Sequence, residues 1–248
     1  MGYKLAAISD IGNVRQKNED CYFVCSKSFG DKEAVLAVVA DGMGGFQCGE
    51  KASQCVIAHL KDWWLCSMMS MEQPPVLDAV RDMLSFVIET AHNEICRAMQ
   101  AYNIVMGTTV SLAYFFDGQF FTLQAGDSRV YCKDKKTMIQ ITKDQTWCQG
   151  EIDAGRLTPE EAAVHEKRHV LVNAVGNKEN FYLITEYGET SKGQIYLLCS
   201  DGYYTYLDEN EISTSVFRGD LQNMLDKSVE RIRKGPAEDN LTAVLVEI

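Results

Sequence analysis

Four aspartates of this 248-residue chain stand where an apolar strand ends or is about to begin: Asp41 in AVVADG, Asp127 in TLQAGDSR, Asp201 in YLLCSDG and Asp239 in AEDNLTAVLV. Strands packed as neighbours would carry these carboxylates to one end of their sheets, where they repel one another strongly unless a cation holds them. An all-oxygen donor set with a glycine-flanked carbonyl suits Mg²⁺ or Mn²⁺, whereas zinc prefers His and Cys at short spacing. The four histidines, His59, His92, His165 and His169, make no HExxH motif. His165 and His169 are four apart, but in the charged segment VHEKRHV they read as a solvated face rather than a zinc pair. A further acidic pair, Glu19 and Asp20, follows Arg15 in NVRQKNED and reads either as part of the same chemistry or as a salt-bridged surface.

An Asp-Gly dipeptide is ordinarily a turn. The pair Asp117-Gly118, alone between two apolar runs in AYFFDGQFF, is read as a two-residue hairpin. Asp41 differs because GMGGFQCGEKAS follows it. The apolar run is expected to stop at Asp41 and give way to a glycine-rich loop, open to close approach and leading into a helix.

The elements that must position these residues follow from periodicity. Helices are predicted over 47–65 and 76–101, the second with Val76, Val80, Met83, Leu84, Val87, Ile88, Ala91 and Ile95 on one face. After Gly107 the pattern changes to strands: TTVSLAYFF, QFFTLQAGD, SRVYCKD, QIYLLCSDG and LTAVLVEI. A helix is predicted over 220–234, capped by Asp220, with Leu221, Met224, Leu225, Val229 and Ile232 on its apolar face and Gly235 ending it. The more irregular stretch between Ile141 and Gly176 contains LTPEEA, a capping box with Thr158 as N-cap, Pro159 in the first turn and Glu161 closing it. Antiparallel strands around a pair of long helices suggest a layered α/β sandwich, read as one domain over 1–248.

Composition narrows the class. No stretch approaches the roughly 18 uninterrupted apolar residues of a membrane span, and no signal-peptide pattern opens the chain. The nine cysteines are an odd number without a CxxC pair, so they are expected as free thiols in a reducing, cytoplasmic setting. A formal net charge of −11 argues against nucleic acid as a partner and leaves carboxylates available for cations, although solubility alone covers most of the surplus.

The segments SDIGNVRQKNED, VVADGMGG, GTTVSLAYF, QAGDSRVY, LLCSDG and EDNLTAVLV occur in this order from Ala7 to the C-terminus. Together they resemble the metal-dependent protein serine/threonine phosphatases of type 2C, in particular their compact bacterial branch. The resemblance implies an α+β fold: a four-layer αββα sandwich, two antiparallel sheets flanked by helices, with the metals in a cleft at one end. It implies that Asp41 bridges two metal ions while Gly42 offers a carbonyl to one, that Asp201 and Asp239 complete the other shell, and that Glu19 and Asp20 join directly or through water. Asp127 with Asp201 would hold a third, weaker ion, and Arg15 would take the substrate phosphate. Asp41, Asp201 and Asp239 are thus the expected catalytic residues, Mn²⁺ or Mg²⁺ the expected cofactor, and phosphoserine or phosphothreonine proteins the expected substrates. Targets of a Ser/Thr kinase, and that kinase itself, are the implied partners of a monomeric enzyme with no membrane partner.

The implied chemistry is self-consistent. Two ions about 3.5–4 Å apart lower the pKa of a shared water and clamp the attacking and leaving oxygens of an in-line displacement, so no enzyme nucleophile is needed. The planar fork of Arg15 matches phosphate oxygens. The chain has neither a Cys-x₅-Arg loop nor a DxDx[TV] motif, the parts of other phosphatase routes. Met43 stands where animal members carry a histidine, which leaves the general acid unassigned. Gln145 in TKDQTW replaces a common histidine just inside the expected flap, 144–176, and is expected to alter substrate choice. Tyr203 and Tyr204 are read as core or cleft. Two other readings stand beside the enzyme: a non-catalytic module that binds phosphoproteins, and a stress-response switch phosphatase restricted to one partner.

Overall fold

The computed structural model describes residues 2–44, 48–134, 137–206 and 220–248. Eleven strands and six helices are found among them, in the order β1 (Lys4–Asp10), β2 (Asp20–Phe29), β3 (Lys32–Gly44), α1 (Gly49–Cys66), α2 (Leu77–Tyr102), β4 (Met106–Thr108), β5 (Val110–Phe116), β6 (Gln119–Ala125), β7 (Arg129–Lys133) and β8 (Met138–Gln140). There follow α3 (Trp147–Asp153), α4 (Pro159–Ala163), β9 (Ile184–Glu189), β10 (Ile195–Cys199), α5 (Asp201–Tyr204), α6 (Leu221–Arg233) and β11 (Leu241–Glu247). One antiparallel sheet runs β1-β11-β10-β7-β8; the other runs β2-β3-β5-β6-β9, with β4 paired to the far end of β3.

Strand β3 explains how the layers stack. Its apolar run is unbroken because both faces are buried. Val35, Ala37 and Val39 meet Val130, Leu198, Val244 and Val246 of the other sheet, while Ala34, Leu36, Val38 and Ala40 face Val56, Leu60, Leu84 and Ile88 of α1 and α2. On the opposite side Leu221, Met224, Leu225, Val229 and Ile232 of α6 cover Leu197, Leu241, Ala243 and Leu245. The result is the expected four-layer αββα sandwich.

The strands expected after Gly107 form, as do the helices, within one or two residues except that the strand expected over 194–202 stops at Cys199; position 47, the expected start of the first helix, lies outside the described residues. Asp117 and Gly118 both take positive φ, 51° and 79°, as a type I′ hairpin requires. The Thr158–Glu161 capping box is formed in full, and Asp220 accepts from the Asn223 amide. On α2 the buried stripe is narrower than the periodicity suggests: Val76 precedes the helix and is exposed, as is Met83. Strand β3 does not end at Asp41. It runs on to Gly44 by changing partners, from β5 up to Val39 to β4 from Gly42, so the aspartate sits inside a strand at the point where the partner switches.

Candidate metal centre

The partner switch brings Asp41 to the end of the sandwich. Its amide donates to the Thr109 hydroxyl at 3.0 Å, and its carbonyl accepts from the Thr109 amide at 2.8 Å and the Thr108 hydroxyl at 2.9 Å. Asp20, first residue of β2, is its register partner. Gly42 must be glycine, because a Cβ there would fall 2.3 Å from the Gly49 carbonyl oxygen and 2.5 Å from that of Glu19. The close approach seats the start of α1 against β3, where the Gly49 amide donates to Glu19 Oε1 at 3.1 Å and the Ser53 hydroxyl to the Glu19 carbonyl at 2.6 Å.

The other acids arrive from the second sheet and its connections. Asp127 lies buried in the turn between β6 and β7. Asp201 opens α5 rather than ending a strand, with Ser200 as the preceding cap residue. The Ser200 hydroxyl donates to Asp20 Oδ2 at 2.7 Å and accepts from the Thr242 amide of its own sheet at 3.0 Å, which fixes the two sheets at this end. Asp239 precedes β11, and Arg15 Nη2 donates to its Oδ2 at 2.8 Å. The loop that carries Arg15 and Glu19 is held by Asn240: its Oδ1 accepts from the Glu19 amide, and its Nδ2 donates to the carbonyls of Ile11 and Lys17. Asn240 lies inside EDNLTAVLV, where its organising role leaves no local mark in the sequence.

Arg15, Glu19, Asp41, Gly42, Asp127, Asp201 and Asp239 therefore line one cleft of about 230 Å³, with Asp20 directly beneath it. The electrostatics are those of an uncompensated acidic cluster. Burial raises the Asp20 carboxyl to about 7, with Asp201 and Asp239 adding repulsion against the hydrogen bonds from Ser200 and Thr242. Burial, then the charges of Asp20, Asp201, Asp127 and Asp239, push Asp41 well above the ordinary carboxylate range. Asp127 and Asp201 are raised for the same reasons, burial first, with Arg129 opposing the rise at Asp127 and His169 opposing it at Asp201. Oxygen donors that repel one another around an open space fit hard divalent cations such as Mg²⁺ or Mn²⁺.

Five further residues complete the picture. His169 is half-exposed, as expected of a solvated face, but it also lines the cleft with Nδ1 3.7 Å from Asp201 Oδ2; the signal for this was its place in the irregular segment that folds back over the site. His165 turns away and packs its ring 5.0 Å from that of Trp147. Gln145 is buried and never reaches the cleft surface: its Oε1 accepts from the Gly126 amide at 3.0 Å and from Asn173 Nδ2 at 2.5 Å. These bonds tie the 144–176 segment to the turn that presents Asp127, so any effect of Gln145 on substrate choice would act through that segment. Tyr203 is core, bonded to the Ser228 hydroxyl, whereas Tyr204 stacks on the Arg129 guanidinium, 3.7 Å from ring centroid to Cζ, in a neighbouring groove.

The comparisons with known proteins bear on this arrangement. Residues 14–246 match the family model described as Protein phosphatase 2C. The chain belongs to that family. It is 31% identical over 250 residues to the serine/threonine protein phosphatase PstP of Mycobacterium tuberculosis, covering 99% of this chain and 45% of that protein, so this chain spans less than half of that relative's length. It is 28% identical over 244 residues to the serine/threonine phosphatase stp of Listeria innocua, covering 96% of this chain and 93% of the relative. The catalytic domain of PstP, solved in complex with two manganese ions, superposes with a TM-score of 0.83 at 29% identity, over 99% of this chain and 97% of that one.

Proposed function

We propose that this chain is a metal-dependent phosphoprotein phosphatase that hydrolyses phosphoserine and phosphothreonine, with Mn²⁺ or Mg²⁺ held in the acidic cleft. The observation that carries the reading is the cluster of Asp20, Asp41, Asp127 and Asp201, enclosed and mutually repelling, with an arginine on its rim. Asp41, Asp201 and Asp239 would hold the catalytic ions with the help of Gly42, Glu19 and Asp20, and Asp127 with Asp201 would serve a third. When bound, such ions supply a water of lowered pKa and neutralise charge on the phosphoryl group.

The chain's own residues do the rest. Thr108 and Thr109 hold the Asp41 backbone in three hydrogen bonds, so its carboxylate is presented without reorganisation. Arg15 is half-exposed and engaged with a single carboxylate oxygen, so its remaining donors are available to phosphate oxygens. Asn240 keeps Arg15 and Glu19 on one braced loop, which sets the distance between the phosphate-orienting cation and the acidic floor.

The proteins acted on would be the targets of a Ser/Thr kinase, and that kinase itself, in the cytoplasm, with the phosphatase acting as a monomer. Phosphate release from a phosphothreonine peptide, measured with EDTA, Mg²⁺ or Mn²⁺ beside Asp41→Ala, tests the activity. Metal-dependent release lost in the variant is the expected result. Metal binding without release from peptides or phosphoproteins would point instead to a phosphoprotein-binding module, and release from one partner protein alone to a restricted switch phosphatase.

A further inference from the structure

On the outer helical layer, away from the acidic cleft, a thiol, an imidazole and a carboxylate converge. Cys55 and His59 stand four apart on α1 and so share one face, a turn from each other. Glu94 reaches across from α2, and its Oε2 lies 2.9 Å from His59 Nε2. One ligand atom from each of the three lies within 4.8 Å of the other two, which among the described residues occurs in this group alone. His59 and Glu94 take no part in the core packing of these helices, which Ala52, Val56 and Leu60 of α1 and Leu84, Ile88 and Ile95 of α2 supply, while Cys55 packs at its edge, half-buried.

We propose that Cys55, His59 and Glu94 form a second metal site, for one borderline transition-metal ion of the Zn²⁺ class, that staples α1 to α2. A sulfur, nitrogen and oxygen donor set selects zinc-like ions over the hard cations suited to the oxygen-lined cleft, so the molecule would sort two kinds of metal into two places. Zinc bonds of about 2.0–2.3 Å require the donors to close to roughly 3.5 Å from one another. Glu94 is exposed and His59 partly so; rotation of these two side chains supplies the remaining movement, and the site is open to an entering ion. The metal–sulfur bond forms as the Cys55 thiol gives its proton to solvent. His59 turns Nε2 from Glu94 to the ion as the neutral imidazole, and Glu94 contributes one carboxylate oxygen. Thiolate and carboxylate together cancel the divalent charge, and a fourth position stays open to water. In the metal-free state burial, then the charge of Glu94 and a hydrogen bond to it, raise the Cys55 thiol to about 11, so the ion must displace a proton rather than find a thiolate waiting.

The staple has a structural consequence. Two residues before Cys55, Ser53 bonds the Glu19 carbonyl, and Gly49 bonds its carboxylate. An ion between Cys55 and Glu94 would fix the helix that buttresses one wall of the acidic cleft.

Cobalt(II) tests the proposal, because a thiolate–cobalt charge-transfer band requires a cysteine ligand and no cysteine lines the acidic cleft. Titration of the metal-stripped, full-length protein should give a near-ultraviolet band that saturates at one ion per chain and is bleached by Zn²⁺. The band should vanish in Cys55→Ser, and cobalt affinity should fall about tenfold or more in His59→Gln and Glu94→Gln, the least that even outer-shell changes cost a metal site. Manganese-dependent phosphate release should persist in all three variants. Absence of the band in the unaltered protein, its survival in Cys55→Ser, or unchanged cobalt affinity in both His59→Gln and Glu94→Gln would each overturn the proposal. Because Glu94 is exposed and His59 partly so, their two variants together decide the matter even if loss of Cys55 prevents folding.

Discussion

The floor and the rim of the cleft handle charge in opposite ways. On the floor, Asp20, Asp41, Asp127 and Asp201 are enclosed, held by backbone pairing, by threonine and serine hydroxyls and by a helix start, and Arg129 beside Asp127 and His169 beside Asp201 offset their repulsion without cancelling it. On the rim, Arg15 pairs with Asp239 at 2.8 Å, both partly exposed. A fixed cluster of like charges costs folding free energy and returns it when a cation binds; an exposed pair contributes about 0–1 kcal/mol and can exchange partners readily. On the function proposed above, the floor would select a metal and the rim would meet a ligand that comes and goes.

The largest expected effect breaks the floor. Asp41→Asn should lower metal-dependent phosphate release by about 10³-fold or more, equivalent to about 4 kcal/mol of transition-state stabilisation. In EDTA the same variant should melt at a higher temperature than the unaltered protein, because it removes one of several repelling carboxylates. Loss of activity together with loss of metal-free stability would mean that Asp41 is structural. The sign with pH follows. Asp20, raised to about 7, keeps in the folded state a proton that the unfolded chain has released. Between roughly pH 4 and 7 the native protein binds more protons, so the Asp20 contribution to stability falls as pH rises through that window. Melting temperatures in EDTA should show a pH-dependent loss that Asp20→Asn reduces, and saturating Mn²⁺ should oppose it.

The rim should respond differently. Arg15→Ala should raise KM for a phosphothreonine peptide about tenfold or more, the value of charge-assisted hydrogen bonds to phosphate, with a smaller effect on kcat. Its metal-free melting temperature should move little, since the pair with Asp239 is exposed. An unchanged KM would assign Arg15 to bracing Asp239 alone.

How far the sequence revealed this depends on what kind of signal each residue leaves. The sandwich was legible because β3, buried on both faces, and the amphipathic α2 and α6 carry strong periodicities. The short strands β4 and β8 leave almost none, and β1 and β2 are largely polar or half-buried along their length. The acids could be collected from their places at strand ends, and the structure brings Asp41, Asp127, Asp201 and Asp239 to one cleft. That Asp41 lies within a continuing strand was hidden, because a change of pairing partner is a long-range event with no local mark. His169 was hidden for the same reason: its neighbours in sequence are charged and exposed, and only folding of the segment over the site brings it to Asp201.

Between floor and rim stands Gln145, whose substitution sharpens the comparison. It joins the Gly126 amide to Asn173 in a buried network, one residue from Asp127. Gln145→Ala leaves those partners unsatisfied and should lower stability by about 1–3 kcal/mol, measured by urea denaturation in EDTA. Affinity for the weakest-held manganese ion should fall with it, while KM for peptide in saturating Mn²⁺ should hold. A change in peptide preference at full metal loading would restore Gln145 to a role in substrate choice.

The smallest expected effect belongs to His169, which touches the floor from the rim. Its ring is half-exposed and 3.7 Å from Asp201, too open to be worth more than an exposed ion pair, about 0.2–1 kcal/mol, even when protonated. His169→Ala should therefore change the manganese concentration required for half-maximal activity by no more than about fivefold, with the metal-free melting temperature nearly unchanged. The direction carries the information. A weaker requirement would mean that the imidazole competes with the metal for Asp201 as a cation. A stronger one would mean that it assists in holding the ion, and that the boundary between floor and rim runs through this residue.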